Sequence, residues 1–482
     1  MVGIVTLVAL AAFALSVNLF PNVNNDGVDY IAYSRDLSRG LVHLGYRQIG
    51  YPLLLAAERL VSGLFGIETL LFSVLIQRLL LLLGVGYAIW LWRWRSAPVV
   101  ILALTPSLLA YTNFLLTEGI TVPLGLLLAC LVAHHFAIVT ARPEEISVGL
   151  SGLPGGVSEQ RLALATAFGA TAVALLLLAI RLPFAVFGIV PLVFWVAARR
   201  RRVPSLSYGI ALLLYVAAAG ALTVGMAVEN RNELGVFTPV ARTERSLFWS
   251  AWHLTFTLHP ENRSDPALAD FYDEGSPYFR IWDIEEENPD YPDQARALSR
   301  STTGLLDAAD LSLPRERLFS FLGTLRGGRI DDVRPRVEVI LDTDASNVDA
   351  AIHWDDISKN QGWEVFNDRY NEGAKPQAVI TSPVFPDPPL PYVTTTTRAF
   401  LPLSLLGILL LALLIRKRLL GVSFLVPPVV YYAAHGWLLA DNARFLMTTT
   451  IYAIAGLSAL WAHSGLSEGP RYRLDDHAID HL

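Results

Sequence analysis

Hydrophobic residues in this chain come mostly in unbroken runs, not at the 3.6- or 2-residue spacing of half-buried helices and strands. Runs near the roughly 20 residues that cross a bilayer's hydrocarbon core fall at about 2–20, 69–91, 98–116, 119–139, 162–180, 183–198, 206–227, 399–415, 420–440 and 444–463. Only helices and closed barrels satisfy the backbone in lipid. The pattern therefore predicts an all-α polytopic membrane protein with about ten transmembrane helices. The run at 183–198 is short and bounded by prolines, which suits a tilted span or one partly shielded from lipid.

Residues 228–398 are different material, rich in Asp, Glu, Pro and Asn. They mix helical patterns with short strand-like ones such as Arg336-Val337-Glu338-Val339-Ile340, over a length that can hold a modest core. An inserted extracytoplasmic α/β or α+β domain is expected there, led back to the membrane by the proline-rich Pro383–Pro391 and the threonines 394–397. The expected organisation is an N-terminal membrane module (1–227, its first outer loop 21–68 carrying interfacial helices), the acidic domain 228–398, C-terminal spans at 399–463 and a cytoplasmic tail, 464–482.

Charge sharpens this division. Only 17% of residues are charged, against about 25% in soluble proteins. The net charge of −6 splits into −12 within 228–398 and +6 elsewhere, and no basic nucleic-acid surface is present. The one cysteine, Cys130, excludes an intramolecular disulfide and a cysteine metal site. Basic clusters close several runs: Arg93 and Arg95; Arg199 to Arg202; Arg416, Lys417 and Arg418; Arg471 and Arg473. With ten spans all four fall on one side, which the positive-inside rule makes cytoplasmic. Both termini then lie in the cytoplasm of a multi-pass plasma-membrane protein, with 228–398 outside. The first loop, with Arg35, Arg39, Arg47 and Arg59, runs against this orientation and is outweighed by the four clusters. Lacking a basic n-region and a small-residue cleavage site, the first helix is expected to be retained.

Polar residues at membrane depth raise a functional hypothesis by default, and they concentrate after the first run. Asp26 opens a helical pattern in which Tyr30, Tyr33 and Leu37 share a face, and Gly40 stops it. Arg47-Gln48-Ile49-Gly50-Tyr51-Pro52-Leu53 then begins an apolar stretch too short to span, which reads as an amphipathic helix in the interface. His134 and His135 lack partners for a metal site and read as packing residues. Trp249, Trp252 and His253 suit sugar stacking or, better, an interfacial aromatic belt.

An acid at the start of the first outer loop, Tyr four places on, then Gly and a basic residue ahead of Gly-Tyr-Pro-Leu resembles the GT-C glycosyltransferases, in the protein O-mannosyltransferase and aminoarabinose transferase branch. Further similar elements are Arg78 in the second run, Thr117-Glu118 with Pro123-Leu124, Arg181-Leu182-Pro183, and Asp441-Asn442-Ala443-Arg444-Phe445. The resemblance covers the first seven runs and, more thinly, the last three, but not 228–398. This chain has Gly27 where many relatives carry a second acid, and Asp29 where the aminoarabinose transferases carry arginine.

The resemblance implies a GT-C fold and inverting transfer of a sugar from a polyprenyl-phosphate donor to a lipid, glycan or protein acceptor on the outer face. Asp26 would be the catalytic base. Arg47, Arg78, Arg181 and Arg444, with Glu118, would bind the donor and its phosphate. No metal ligand is assigned; a divalent metal is left open as a cofactor, since the second outer loop offers the single acid Glu118. Structural readings stand beside these roles: Asp26 as a helix cap, Arg78 bonded to a carbonyl or to Glu58, Glu118 as a cap, Arg444 as an interfacial anchor. The alternative functions are a polysaccharide polymerase or ligase using a diphosphate-linked donor, and a non-enzymatic transporter or scaffold. Inverted hydropathy repeats, which a transporter should show, are not apparent.

Overall fold

The computed structural model describes residues 25–38, 48–67, 69–105, 117–140, 159–200, 205–235, 259–272, 291–311, 418–438 and 447–465, with short pieces within 108–115, 237–256 and 406–409. Among the described residues the regular structure is helical throughout. The helices are α1 (Asn25–Ser38), α2 (Gly50–Phe65), α3 (Thr69–Trp92), α4 (Ala97–Ala103), α5 (Thr117–Thr140), α6 (Glu159–Ile180), α7 (Ile189–Arg200), α8 (Leu206–Leu234), α9 (Tyr291–Ala308), α10 (Arg418–Leu438) and α11 (Met447–Gly465). Five stretches are long and apolar enough to cross a membrane: Thr69–Ala103, Thr117–Val139, Gln160–Ile180, Leu182–Arg200 and Leu206–Asn232. Leu419–Tyr431 and Met447–Ala462 are shorter apolar helices. Over the described residues the architecture is that of an all-α membrane protein.

Contacts fix the direction of each helix. Gly84 of α3 packs on Leu126 of α5, the Cys130 thiol donates to the Gly84 carbonyl, and further along both helices Tyr87 meets His134. α3 and α5 are therefore parallel, and residues 93–116 must return to the end where α3 began. Arg78 reaches Leu109 and Thr112 of that returning chain. Helical structure is nearly continuous from Thr69 to Ala103, but Arg93 adopts φ 52° and opens a 3-10 turn, Arg93–Ser96, so α3 stops there. α6 runs antiparallel to α5, with His135 beside Ala163 and Thr166 at one end and Glu118 beside Arg181 at the other.

The short run at 183–198 begins as a 3-10 turn, Leu182–Gly188, with Pro183 near its start, and continues as α7. α8 then returns, its Tyr215 packed against Gly188. It continues past the expected boundary at 227 to Leu234, where Gly235 ends it at φ 72°. Polar Glu229 to Asn232 do not stop a helix; a residue that accepts the left-handed conformation does. In the last pair, Gly456 of α11 packs against Phe424 of α10. Of the basic clusters, Arg93 and Arg95, Arg199 and Arg200, and Arg418 share one end of the bundle, and Arg471 and Arg473 lie outside the described residues.

Apolar surface faces outward, as lipid requires. On α8 Leu206, Leu213 and Val216 are 76%, 66% and 57% exposed, a face that water would penalise. α2 exposes Leu53, Leu60, Leu64 and Phe65 and buries Tyr51 and Ser62. It runs antiparallel along the first turns of α3, with Tyr51 bonded to Gln77 and Ser62 to Thr69. Tyr51 and Ser62 thus find polar partners on α3.

Gly50 shows how closely α2 approaches α6. A Cβ there would lie 2.4 Å from the Ala179 carbonyl carbon, whereas one at Gly63 would meet nothing within 4 Å. Gly50→Ala is expected to lower stability by about 1–3 kcal/mol. Gly63→Ala should raise it by up to about 1 kcal/mol through helix propensity. Thermal unfolding in detergent measures both; equal shifts would mean that the close approach carries no weight.

In the acidic segment, Phe248, Ala251, Trp252, Phe256, Leu268 and Leu305 form a small separate core. The indole of Trp252 donates to the Phe271 carbonyl at 2.9 Å. Trp252 thus packs in this core; Trp249, His253 and the strand-like 336–340 lie outside the described residues.

Candidate functional site

Antiparallel packing of α5 and α6 joins two residues 63 positions apart in sequence. Glu118 lies in the first turn of α5, where the helix dipole presents its positive end. Arg181 follows directly on α6 in an extended conformation, two residues before Pro183. The Arg181 Nη1 donates to Glu118 Oε1 at 2.7 Å, with side-chain exposures of 18% and 3%. The Thr117 hydroxyl donates to the other carboxylate oxygen at 3.2 Å. The carboxylate is sealed in protein, while the guanidinium keeps a path to the surface.

Two tyrosines lie within electrostatic reach of this pair. The charges of Arg181 and Glu118 both act on Tyr431 of α10, whose ring stacks on Phe184 at 5.1 Å between centroids. Tyr51 of α2 also feels the Glu118 charge. Its hydroxyl accepts from Gln77 Nε2 at 3.1 Å, and Tyr30 of α1 meets its ring edge-on at 5.1 Å. Burial, with the Glu58 charge second, pushes the Tyr51 phenol well above its ordinary range, so it remains a neutral hydroxyl. Burial pushes the Glu58 carboxyl up to about 7, with a hydrogen bond to Ser73 opposing the shift. Glu58 Oε2 has no hydrogen-bond partner among the described residues.

Of the residues singled out by sequence, Glu118 and Arg181 are brought together. Arg78 is fully buried and donates from Nε to Thr112 Oγ1 at 2.7 Å and from Nη2 to the Leu109 carbonyl at 2.9 Å. It ties α3 to the returning chain, as the carbonyl-bonded structural reading has it. Asp26 falls in the first turn of α1, one turn before Tyr30, and its side chain lies outside the described residues. Arg47 and Arg444 lie outside them as well. His134 accepts or donates at 2.6 Å with Tyr87, and His135 bonds the Ala163 carbonyl among Phe194 and Tyr208, which agrees with packing roles. Among the described residues no cluster of His, Cys, Asp and Glu is arranged to hold a metal.

Tyr51, Gln77, Tyr431 and Glu58 were given no role in the site by the sequence. Tyr51 carried a signal, lying inside the quoted Gly50-Tyr51-Pro52; Tyr431 had none, because only the packing of α10 brings it to Arg181. Comparison with family models, with curated proteins and with solved structures finds no match to this chain.

Proposed function

We propose that this protein is a GT-C-type glycosyltransferase of about ten spans that moves a sugar from a polyprenyl-phosphate donor to an acceptor hydroxyl at the outer face. The observation that carries the proposal is the Glu118–Arg181 pair. A buried carboxylate holds a partly exposed arginine at the end of the bundle opposite the basic clusters. An enzyme for a lipid phosphate needs an oriented cation near the membrane surface, and arginine's planar fork suits a phosphate. The basic end is then cytoplasmic and the pair lies toward the outer face. The 228–398 segment would be the extracytoplasmic domain.

In this reading Asp26 takes the proton from the acceptor hydroxyl as its oxygen attacks the anomeric carbon. The bond from that carbon to the phosphate oxygen breaks with inversion, and polyprenyl phosphate leaves with its electron pair. Arg181 offsets the charge developing on the phosphate, with Arg47 and Arg444 as further clamp residues. The test incubates purified protein with a panel of polyprenyl-phosphate sugars and acceptor lipids or glycans. Time-dependent release of polyprenyl phosphate from one donor is expected. No turnover with any of them, in protein shown to be folded, would overturn the reading.

A further inference from the structure

We infer that the seam between α2 and α3 is a proton-operated latch, closed when Glu58 carries a proton and loosened when it does not. Tyr51, Leu55, Glu58 and Ser62 share one face of α2, at helical spacing. Antiparallel packing sets that face against α3 in polar layers. Tyr51 meets Gln77 at 3.1 Å, and Ser62 meets Thr69 at 3.1 Å. Glu58 falls between these two layers, opposite Ser73. Its Oε2 is buried and has no hydrogen-bond partner among the described residues.

Ser73 has one hydroxyl proton and two acceptors within reach. Its Oγ donates to the Thr69 carbonyl at 3.1 Å, and the Glu58 carboxyl is its other partner. A protonated Glu58 donates to the Ser73 oxygen and leaves the Thr69 bond intact. An ionised Glu58 can only accept. It draws the Ser73 proton away from Thr69 and leaves charge on a second oxygen held out of water. Opening the seam relieves both costs by hydrating the carboxylate.

The groups around it are these. Tyr51 and Arg59 flank Glu58 on α2 itself, and α1 brings Tyr30, Tyr33, Arg35 and Asp36 to that helix. α3 adds Arg78, and Arg181 follows the end of α6. The side chains of Asp26 and Asp29 lie outside the described residues. α2 is not among the stretches long enough to cross a membrane. Burial moves the Glu58 carboxyl from 4.5 to about 7 against the pull of Ser73, so the closed seam holds the proton more tightly than an open one. The stability this lends to closure is present in full below about pH 4.5 and is lost as pH rises through about 7. The same helix presses Gly50 on Ala179 and Ile180, next to Arg181. The latch therefore reaches the end of the bundle that bears the Glu118–Arg181 pair, and it does not depend on the transfer reaction.

The test is hydrogen–deuterium exchange of the full chain in detergent, read by mass spectrometry on peptides from α2. After correction for the intrinsic pH dependence of amide exchange, wild-type α2 should exchange about tenfold faster at about pH 8 than at about pH 5.5. Glu58→Gln cannot ionise, and its amide donates to Ser73 as the protonated carboxyl does. Its α2 should exchange at one corrected rate at both pH values, close to the wild-type rate at the lower. Equal corrected rates in wild type at the two pH values overturn the latch, and that measurement needs no variant. The wild-type pH response persisting in Glu58→Gln also overturns it, because another group would then carry the proton.

Discussion

Asp26→Asn is expected to leave a folded protein whose transfer rate is lower by about 10²–10⁴, the usual cost of losing a general base. The substitution keeps the size and most of the capping ability of aspartate while removing its charge. Asp26 lies in the first turn of α1, whose Tyr30 and Tyr33 are buried and whose Tyr30 packs on Tyr51. If the acid only favours the start of that helix, the loss is about 1 kcal/mol of stability and turnover is unchanged. Rate and melting temperature measured on one purified variant separate the two roles. Full activity would remove Asp26 from the chemistry and transfer the test to Asp29.

Where sequence reasoning succeeded, one local property decided the outcome. The apolar runs at 69–91, 119–139, 162–180, 183–198 and 206–227 became helical because lipid leaves the backbone no other partner. Arginines at 93, 95, 199, 200 and 418 share an end because each closes or opens such a run. Arg181 could be paired with Glu118 only by analogy beforehand; two antiparallel helices of similar length made the pair real. Other features were not legible. The polar partners that Tyr51 and Ser62 of α2 find on α3 depend on tertiary packing, which length and pattern do not show. α8 runs on past its apolar stretch to Leu234, where Gly235 ends it, an end that the apolar run alone does not mark. Tyr431 was invisible, since a buried tyrosine in an apolar run resembles any other until its neighbours are known.

Arg181 and Glu118 should show an asymmetry that follows from their exposures of 18% and 3%. Arg181→Ala strands a sealed carboxylate without its counter-charge, and removing one partner of a buried pair costs about 3–5 kcal/mol. Glu118→Gln strands an arginine that still reaches the surface, where solvent screens it, so the loss should be clearly smaller. Replacing both, as Glu118→Gln with Arg181→Met, leaves no unpaired charge and should recover most of the stability lost in Arg181→Ala, since an apolar substitute for a buried pair is often neutral. Thermal unfolding of the four proteins closes the cycle. Activity then discriminates between the two uses of the pair. A pin between α5 and α6 regains turnover in the double variant along with its stability. A phosphate-binding arginine does not: the double variant should be stable, should bind donor more weakly by one charge-assisted contact of about 1.5–3 kcal/mol, and should turn over slowly. Wild-type turnover in a stable double variant would make the pair structural and move the phosphate contact to Arg47 or Arg444.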